Sequence, residues 1–266
     1  MIYVVPSLKA KEKLQCEGKA WAESQGFTYV PRGKRTIQDL MDEYGEDFLV
    51  YSSRGPQIDR PEGSHFFSLN MAELRIQNLR KGQRDHLLEA LMGRGSSKLP
   101  ITVLDCTCGF GADAAVASFG LPTGSRVDAL EVSPLLEAVT SWGFSHFVHK
   151  KDDVTAALRR ISLRRGDYRD YLLSDEEPVY DVLYFDPMFQ RPVEASCQFQ
   201  PVRAIMEHGG LTRDLIERAL QKARRRVVIK ERDFRQLCRD FPEVTLYGGK
   251  YSRIGYAVLE CDSWKK

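Results

Sequence analysis

The spacing of apolar positions changes character near residue 100. Before it, short apolar runs alternate with longer polar-studded segments. "IYVVP" (2–6) predicts a strand, and "SLKAKEKLQCEGKAWAESQG" (7–26) predicts a helix opened by serine and closed by glycine. "FTYVPR" (27–32) reads as a strand, "TIQDLMDEYG" (36–45) as a threonine-capped helix and "DFLVYSSRG" (47–55) as another strand. The result is a β-α-β-α-β pattern, closed by the turn-rich "RGPQIDRPEGS" (54–64). Residues 65–95 then predict two helices broken near Gly82, and "GRGSSKLP" (93–100) a flexible joint.

Beyond residue 100 the strands lose their alternation. "ITVLD", "SRVDALEV", "RISLRRG", "YDVLYFD" and "RRVVIKE" read as strands buried on both faces and separated by helices. That texture predicts an α/β fold with a mostly parallel, doubly wound sheet. "VTLYGGKYSRIGYAVLEC" (244–261) differs, with two strand-like runs around "GGKYS" that predict an antiparallel C-terminal hairpin. The expected organisation is a small N-terminal α/β module over 1–65, a helical connector over 66–98 and the sheet domain over 99–266.

Composition narrows the class only a little. The 266 residues are 42% hydrophobic and 29% charged, with a formal net charge of +2, as in ordinary globular proteins. No apolar run approaches the roughly 20 residues that would span a bilayer, so no membrane partner is expected. The N-terminal charges follow the first apolar run instead of preceding it, unlike a signal peptide, so the expected location is cytoplasmic. Six cysteines include no C-x-x-C pair and have no paired histidines nearby, which argues against zinc; no metal is expected. A bridge between Cys106 and Cys108 would be badly strained, so reduced thiols are expected.

The chemistry collects at the ends of the predicted strands, where open α/β sheets bind ligands. The first ends at Asp105 and enters "CTCGFGAD". There Gly109 and Gly111 permit a tight turn and close approach to a ligand, and the helix beginning near Ala112 points free amides at it. A dinucleotide fingerprint would want a third glycine, which is absent. The second strand ends at Glu131, an acceptor for two ribose hydroxyls or simply a helix cap. The third leads to Asp167, an acceptor for an adenine amine or an N-cap. Asp153 is its rival but begins a helix with no strand running into it. The fourth ends at Asp186. Packing asks for none of these acids, and four successive strand ends carry one.

Asp186 opens "DPMF". An amine on an aromatic ring is a poor nucleophile because its lone pair is delocalised. The Asp186 carboxylate and the Pro187 carbonyl can accept its two N–H bonds and aim the lone pair, while Phe189 stacks on the ring. The expected partner reagent is S-adenosyl-L-methionine, whose methyl is already activated, leaving the protein to align and place charge. Lys230, at the end of the fifth strand, is a candidate contact to substrate phosphate or base, or a snorkelling strand-end lysine.

"VLDCTCGFGADAAVASFG", "ALEVSP", "ISLRRGDYRDYL", "YFDPMF" and "RRVVIKERDF" together resemble the ribosomal RNA small subunit methyltransferase J family. The resemblance covers about residues 99–260. It implies a class I, Rossmann-like methyltransferase domain acting on guanine N2 in 16S rRNA, with small-subunit rRNA or the small ribosomal subunit as partner. It also implies cofactor contacts at Ala112, Asp113, Glu131, Val132, Gly166, Asp167 and Asp186. Met188 stands where the broader amino-methyltransferase pattern has a second proline, and the N-terminal module has no obvious counterpart, which suggests a sister branch. Basic runs at 32–35, 75–84 and 222–232 are candidate phosphate contacts, with Arg75, Arg80 and Lys81 on or near one helix. The competing readings are a methyltransferase for a small-molecule or protein amine, and a non-catalytic RNA-binding protein with a vestigial cofactor pocket.

Overall fold

The N-terminal elements of the computed structural model, which describes residues 1–93, 99–175, 177, 179–187, 210–248 and 254–263, form a sheet of their own. They are β1 (Tyr3–Pro6), α1 (Glu12–Ser24), β2 (Thr28–Tyr29), α2 (Ile37–Tyr44), β3 (Phe48–Ser52), β4 (Gly55–Arg60) and β5 (Gly63–Phe66). The order is β2-β1-β3-β4-β5, with β1 parallel to both its neighbours and β3-β4-β5 an antiparallel meander. Thr36 caps α2 as predicted, in a capping box with Asp39.

Three expectations need correction here. Helix α1 begins at Glu12, without a side-chain cap, because the Ser7 amide still donates to Tyr51 in the sheet (2.8 Å). The strand expected over 27–32 is ordered as a strand only at Thr28–Tyr29. The turn-rich segment 54–64 contains β4 and much of β5 instead of closing the module. Its polar residues face inward in mutual pairs: Gln57 donates to both oxygens of Asp59 (2.8 Å each), and Arg60 donates to the Asp59 carbonyl (2.8 Å). Buried polar groups that satisfy one another carry no apolar signature.

The rest of the chain comprises α3 (Asn70–Arg80), α4 (His86–Met92), β6 (Thr102–Asp105), α5 (Ala112–Gly120), β7 (Arg126–Glu131), α6 (Pro134–His146), α7 (Asp152–Arg159) and β8 (Ile161–Arg165). There follow α8 (Tyr168–Leu173), β9 (Val182–Phe185), α9 (Arg213–Lys222), β10 (Arg226–Glu231), α10 (Arg235–Asp240), β11 (Thr245–Gly248) and β12 (Gly255–Glu260). The second sheet has the order β11-β12-β10-β9-β6-β7-β8, parallel from β10 to β8, with β12 antiparallel to both its neighbours. Gly82 breaks α3 from α4 with a φ of 76°. Strand β8 is not buried on both faces as expected. It is an edge strand, and Ser162, Arg164 and Arg165 are exposed.

The apolar core gathers Leu104, Leu183, Phe185, Val227, Ile229 and Ala257 from the central strands. Chain order reverses between β6 and β9: β7 and β8 lie to one side, β10 to the other. Such a reversal opens a crevice at the carboxyl ends of the two strands. Asp105 and Asp186 stand at those ends.

By packing, the described chain divides into two compact units, one of Met1–Ser68 with Ser133–Phe147, the other holding α3, α4 and the seven-stranded sheet. The sequence reading ends its module at residue 65 and joins it to the sheet domain through 66–98. Helix α6 packs within the first unit. A Cβ at Gly143 would lie 1.9 Å from Phe67 Cγ, and the Phe67 ring meets Phe144 and Phe147 edge-on at 5.6 and 5.5 Å. Among the described residues no helix is long and apolar enough to cross a membrane, and no group of three or more His, Cys, Asp or Glu side chains is placed to hold a metal ion.

Candidate active site

The loop after β6 is tied to the strands on both sides. Cys106 donates to the Tyr184 carbonyl (2.8 Å), Cys108 to Leu130 (2.9 Å), and Gly111 folds back to Cys108 (2.8 Å). Gly109 and Gly111 take φ of 53° and 74°, left-handed conformations that favour glycine. Among the described residues, a Cβ added at Gly109 would meet nothing nearer than the Thr107 carbonyl at 4.0 Å, so the backbone there admits close approach. Ala112 and Asp113 begin α5 immediately beyond it.

Glu131 ends β7, is buried, and its Oε2 accepts the Gly109 amide (2.8 Å). Two strand ends are thus coupled through a carboxylate that sequence reading assigns to a ribose. Val132 follows, 36% exposed. Gly166 donates to the Glu131 carbonyl (3.0 Å) and extends the β7–β8 ladder. Asp167 caps α8 through the Arg169 amide (2.8 Å) and also grips the Arg169 guanidinium (2.8–2.9 Å from Nε). Partial burial opposes its ionisation, but those hydrogen bonds prevail and lower its pKa. The rival Asp153 lies in the first turn of α7 and pairs with Arg80 (2.9 Å).

Asp105 is 3% exposed and accepts the Thr107 amide (3.1 Å). Burial, reinforced by Asp113 and Asp186, raises its pKa far above the usual carboxylate range and keeps it neutral. Asp186 follows β9; its amide and the Thr107 hydroxyl are 2.7 Å apart, and its Oδ2 accepts Lys230 Nζ (2.7 Å). The same Nζ donates to Asp113 Oδ2 (2.8 Å), which also accepts the Tyr184 hydroxyl (2.7 Å). Asp113 Oδ1 accepts Arg75 Nη1, and Arg75 closes a two-point pair with Asp85 (2.7 and 2.8 Å). Asp85 in turn caps α4.

Charges therefore alternate along Asp85, Arg75, Asp113, Lys230 and Asp186, in surroundings dry enough to strengthen each contact. Burial alone would neutralise Lys230, yet Asp113 and Asp186 override it and raise its pKa. Lys230 and Arg75 likewise overcome burial at Asp113 and hold it ionised. At Asp186 burial and Asp113 push the pKa up against Lys230. Among the described residues, three carboxyl groups and two cations thus form one connected chain of contacts.

The snorkelling alternative for Lys230 is excluded: its side chain is 13% exposed and bridges two carboxylates. Arg75 is corrected as well, since it is an internal ion-pair partner and not a phosphate contact. Its basic stretch hides that role, because no sequence signal distinguishes an inward arginine from a solvated one. Tyr184, also missed, was visible as the one polar-tipped residue in "VLYF". Pro187 follows Asp186 among the described residues, whereas Met188 and Phe189 lie outside them. Cys106 and Cys108 are free thiols, as expected.

Comparison with known proteins gives concordant likenesses. The family model described as "Putative SAM-dependent methyltransferase" matches residues 64–254. "Uncharacterized protein YpiP" of Bacillus subtilis (strain 168) is 29% identical over 230 residues, covering 86% of this chain and 88% of that protein. The Ribosomal RNA small subunit methyltransferase J of Marinobacter nauticus is 28% identical over 194 residues, 72% of this chain and 66% of its own length. That of Aeromonas salmonicida is 29% identical over 184 residues, 67% and 71% respectively. The crystal structure of the SAM-dependent methyltransferase NGO1261 from Neisseria gonorrhoeae aligns with a TM-score of 0.61 over 97% of this chain and 95% of that one. At 17% identity that likeness concerns the fold, and it agrees with the expected class I arrangement.

Proposed function

The chain belongs to the SAM-dependent methyltransferase family, and on that premise we propose that it methylates an exocyclic ring amine, guanine N2 in small-subunit ribosomal RNA, with Asp186 and Pro187 receiving the amine. The observation that carries this reading is the placement of Asp186. It stands at the chain-order reversal beside β6, and among the described residues only Lys230 hydrogen-bonds its carboxylate, at Oδ2. An acceptor amine can then donate to Oδ1 and to the Pro187 carbonyl. The relatives named Ribosomal RNA small subunit methyltransferase J supply the substrate class.

The residues present fit the cofactor. Glu131 offers a buried carboxylate for ribose hydroxyls, and the backbone at Gly109 admits close approach. When bound, S-adenosyl-L-methionine supplies a methyl carbon that an amine lone pair can take as the carbon–sulfur bond breaks toward sulfur. Asp186 and Pro187 orient the amine so that its lone pair is directed away from the ring. Positive charge then develops on the nitrogen, and the Asp186 carboxylate offsets it and accepts the released proton, which passes to water. Lys230 holds Asp186 in place without becoming the proton acceptor, since it is already charged.

The test uses purified protein, methyl-labelled S-adenosyl-L-methionine, and small-subunit rRNA offered both protein-free and in subunits from a strain lacking the gene. Label should enter the RNA as N2-methylguanine, and that methyl should be missing by mass spectrometry from the deletion strain. Asp186→Asn should slow transfer by about 10²–10³. Turnover of a small amine with no label in RNA would favour the small-molecule reading. Unchanged RNA methylation by Asp186→Asn would remove the basis of the proposal.

A further inference from the structure

Arg75 comes from α3, outside the seven-stranded sheet, yet it ends within hydrogen-bond reach of the cluster around Asp186. Its guanidinium is fixed from behind by both oxygens of Asp85, which is itself anchored as the cap of α4. Ahead of it, Asp113 shares Lys230 with Asp186 at nearly equal distances, 2.8 and 2.7 Å. Lys230 is thus divided between two acids, and the balance depends on how well Asp113 is served by other donors. Among the described residues those donors are Arg75 and the Tyr184 hydroxyl.

We propose that Arg75 is a positioning residue for methyl transfer: acting through Asp113 and Lys230, it keeps the Asp186 carboxylate ionised and turned so that Oδ1 meets the acceptor amine. This rests on the reading that Asp186 receives that amine. Without Arg75, Asp113 carries less-compensated charge in a dry site. It would draw Lys230 toward itself and repel Asp186, so Asp186 would take up a proton more readily. The groups facing Asp186 are Lys230 and Glu231 on β10, Asp113 on α5, Asp105 on β6, Tyr184 on β9 and, through Lys230, Tyr256 on β12. Asp105 is held neutral and Tyr184 and Tyr256 keep their protons, so the Lys230–Asp113 balance is the adjustable part.

The experiment follows the Asp186 carboxyl carbon by NMR in ¹³C-aspartate-labelled protein, assigned by its loss in Asp186→Asn, alongside single-turnover methylation of small-subunit rRNA. In Arg75→Gln the Asp186 titration midpoint should rise by about one pH unit, and the acidic limb of the rate should move up with it. Arg75→Lys should restore most of the midpoint. Tyr184→Phe, which removes a donor to Asp113 without changing charge, should shift it the same way by less, and it decides the case if Arg75→Gln does not fold. A folded Arg75→Gln that loses thermal stability while the Asp186 midpoint stays put would overturn the inference. If the midpoint moves but the parent protein methylates no RNA, the rRNA reading falls and the Arg75–Asp186 coupling stands.

Discussion

Asp105, Asp113 and Asp186 carry the same carboxyl group and fold into three different proton-holding states. Asp105 has an amide and, among the described residues, no cation in hydrogen-bond contact, and burial raises its pKa well above the usual carboxylate range. Asp113 has two cations and a hydroxyl and stays ionised. Asp186 has one cation, opposed by burial and by Asp113. Asp105 and Asp186 were legible in the chain as acids at strand ends, where packing has no use for them, whereas Asp113 was marked only by the family resemblance. Their states were not legible, because Asp113 and Asp186 depend on donors 38 to 117 residues away along the chain and Asp105 on burial that only the fold supplies. Glu131 shows the same division. Its Oε2 accepts the Gly109 amide from 22 residues away, a partner the chain alone does not reveal. Glu131→Gln keeps an acceptor for the Gly109 amide but loses the charge, and should weaken S-adenosyl-L-methionine binding by about tenfold or more in calorimetry, as for a lost charge-assisted hydrogen bond.

At the scale of elements, the sequence pattern located most helices and the buried strands β6, β7, β9 and β10, because a long apolar run has few other uses. It failed where polarity and burial part company. In β4, Gln57, Asp59 and Arg60 are buried and hydrogen-bonded to one another and to Ser52, Arg54 and Glu46, so the segment reads as a turn. In β8 Ser162, Arg164 and Arg165 were read as buried and are exposed, because an edge strand has one strand neighbour. Helix α6 follows β7 along the chain but packs in the N-terminal unit, through a contact only glycine permits. Gly143→Ala would force its Cβ into the Phe67 ring and should cost about 1–3 kcal/mol. A lowered denaturant midpoint with an unchanged slope would report it.

At the scale of the molecule, one buried group outside the candidate site gives stability a pH dependence. Burial pushes His65, on β5, down to about 4 from its ordinary 6.5. The folded protein therefore keeps it neutral while the unfolded chain takes up a proton below about pH 6.5. Stability from this source is complete above that pH and is lost as pH falls toward 4, a change on the order of 3 kcal/mol. Denaturation followed from pH 7 to 4.5 should show that slope, and His65→Gln should remove most of it. A slope that survives the substitution would place the titrating group elsewhere.

The sequence alone determined that a parallel sheet with an antiparallel C-terminal pair would form, and which strand ends would carry acids, because apolar periodicity and chain punctuation are local properties. Only tertiary structure decided which charges those acids would meet. Arg75, Asp113, Lys230 and Asp186 are scattered over more than a hundred residues, and strand order brings them within hydrogen-bond reach. Electrostatic state is a property of neighbours in space, so it could not be read before the chain was folded.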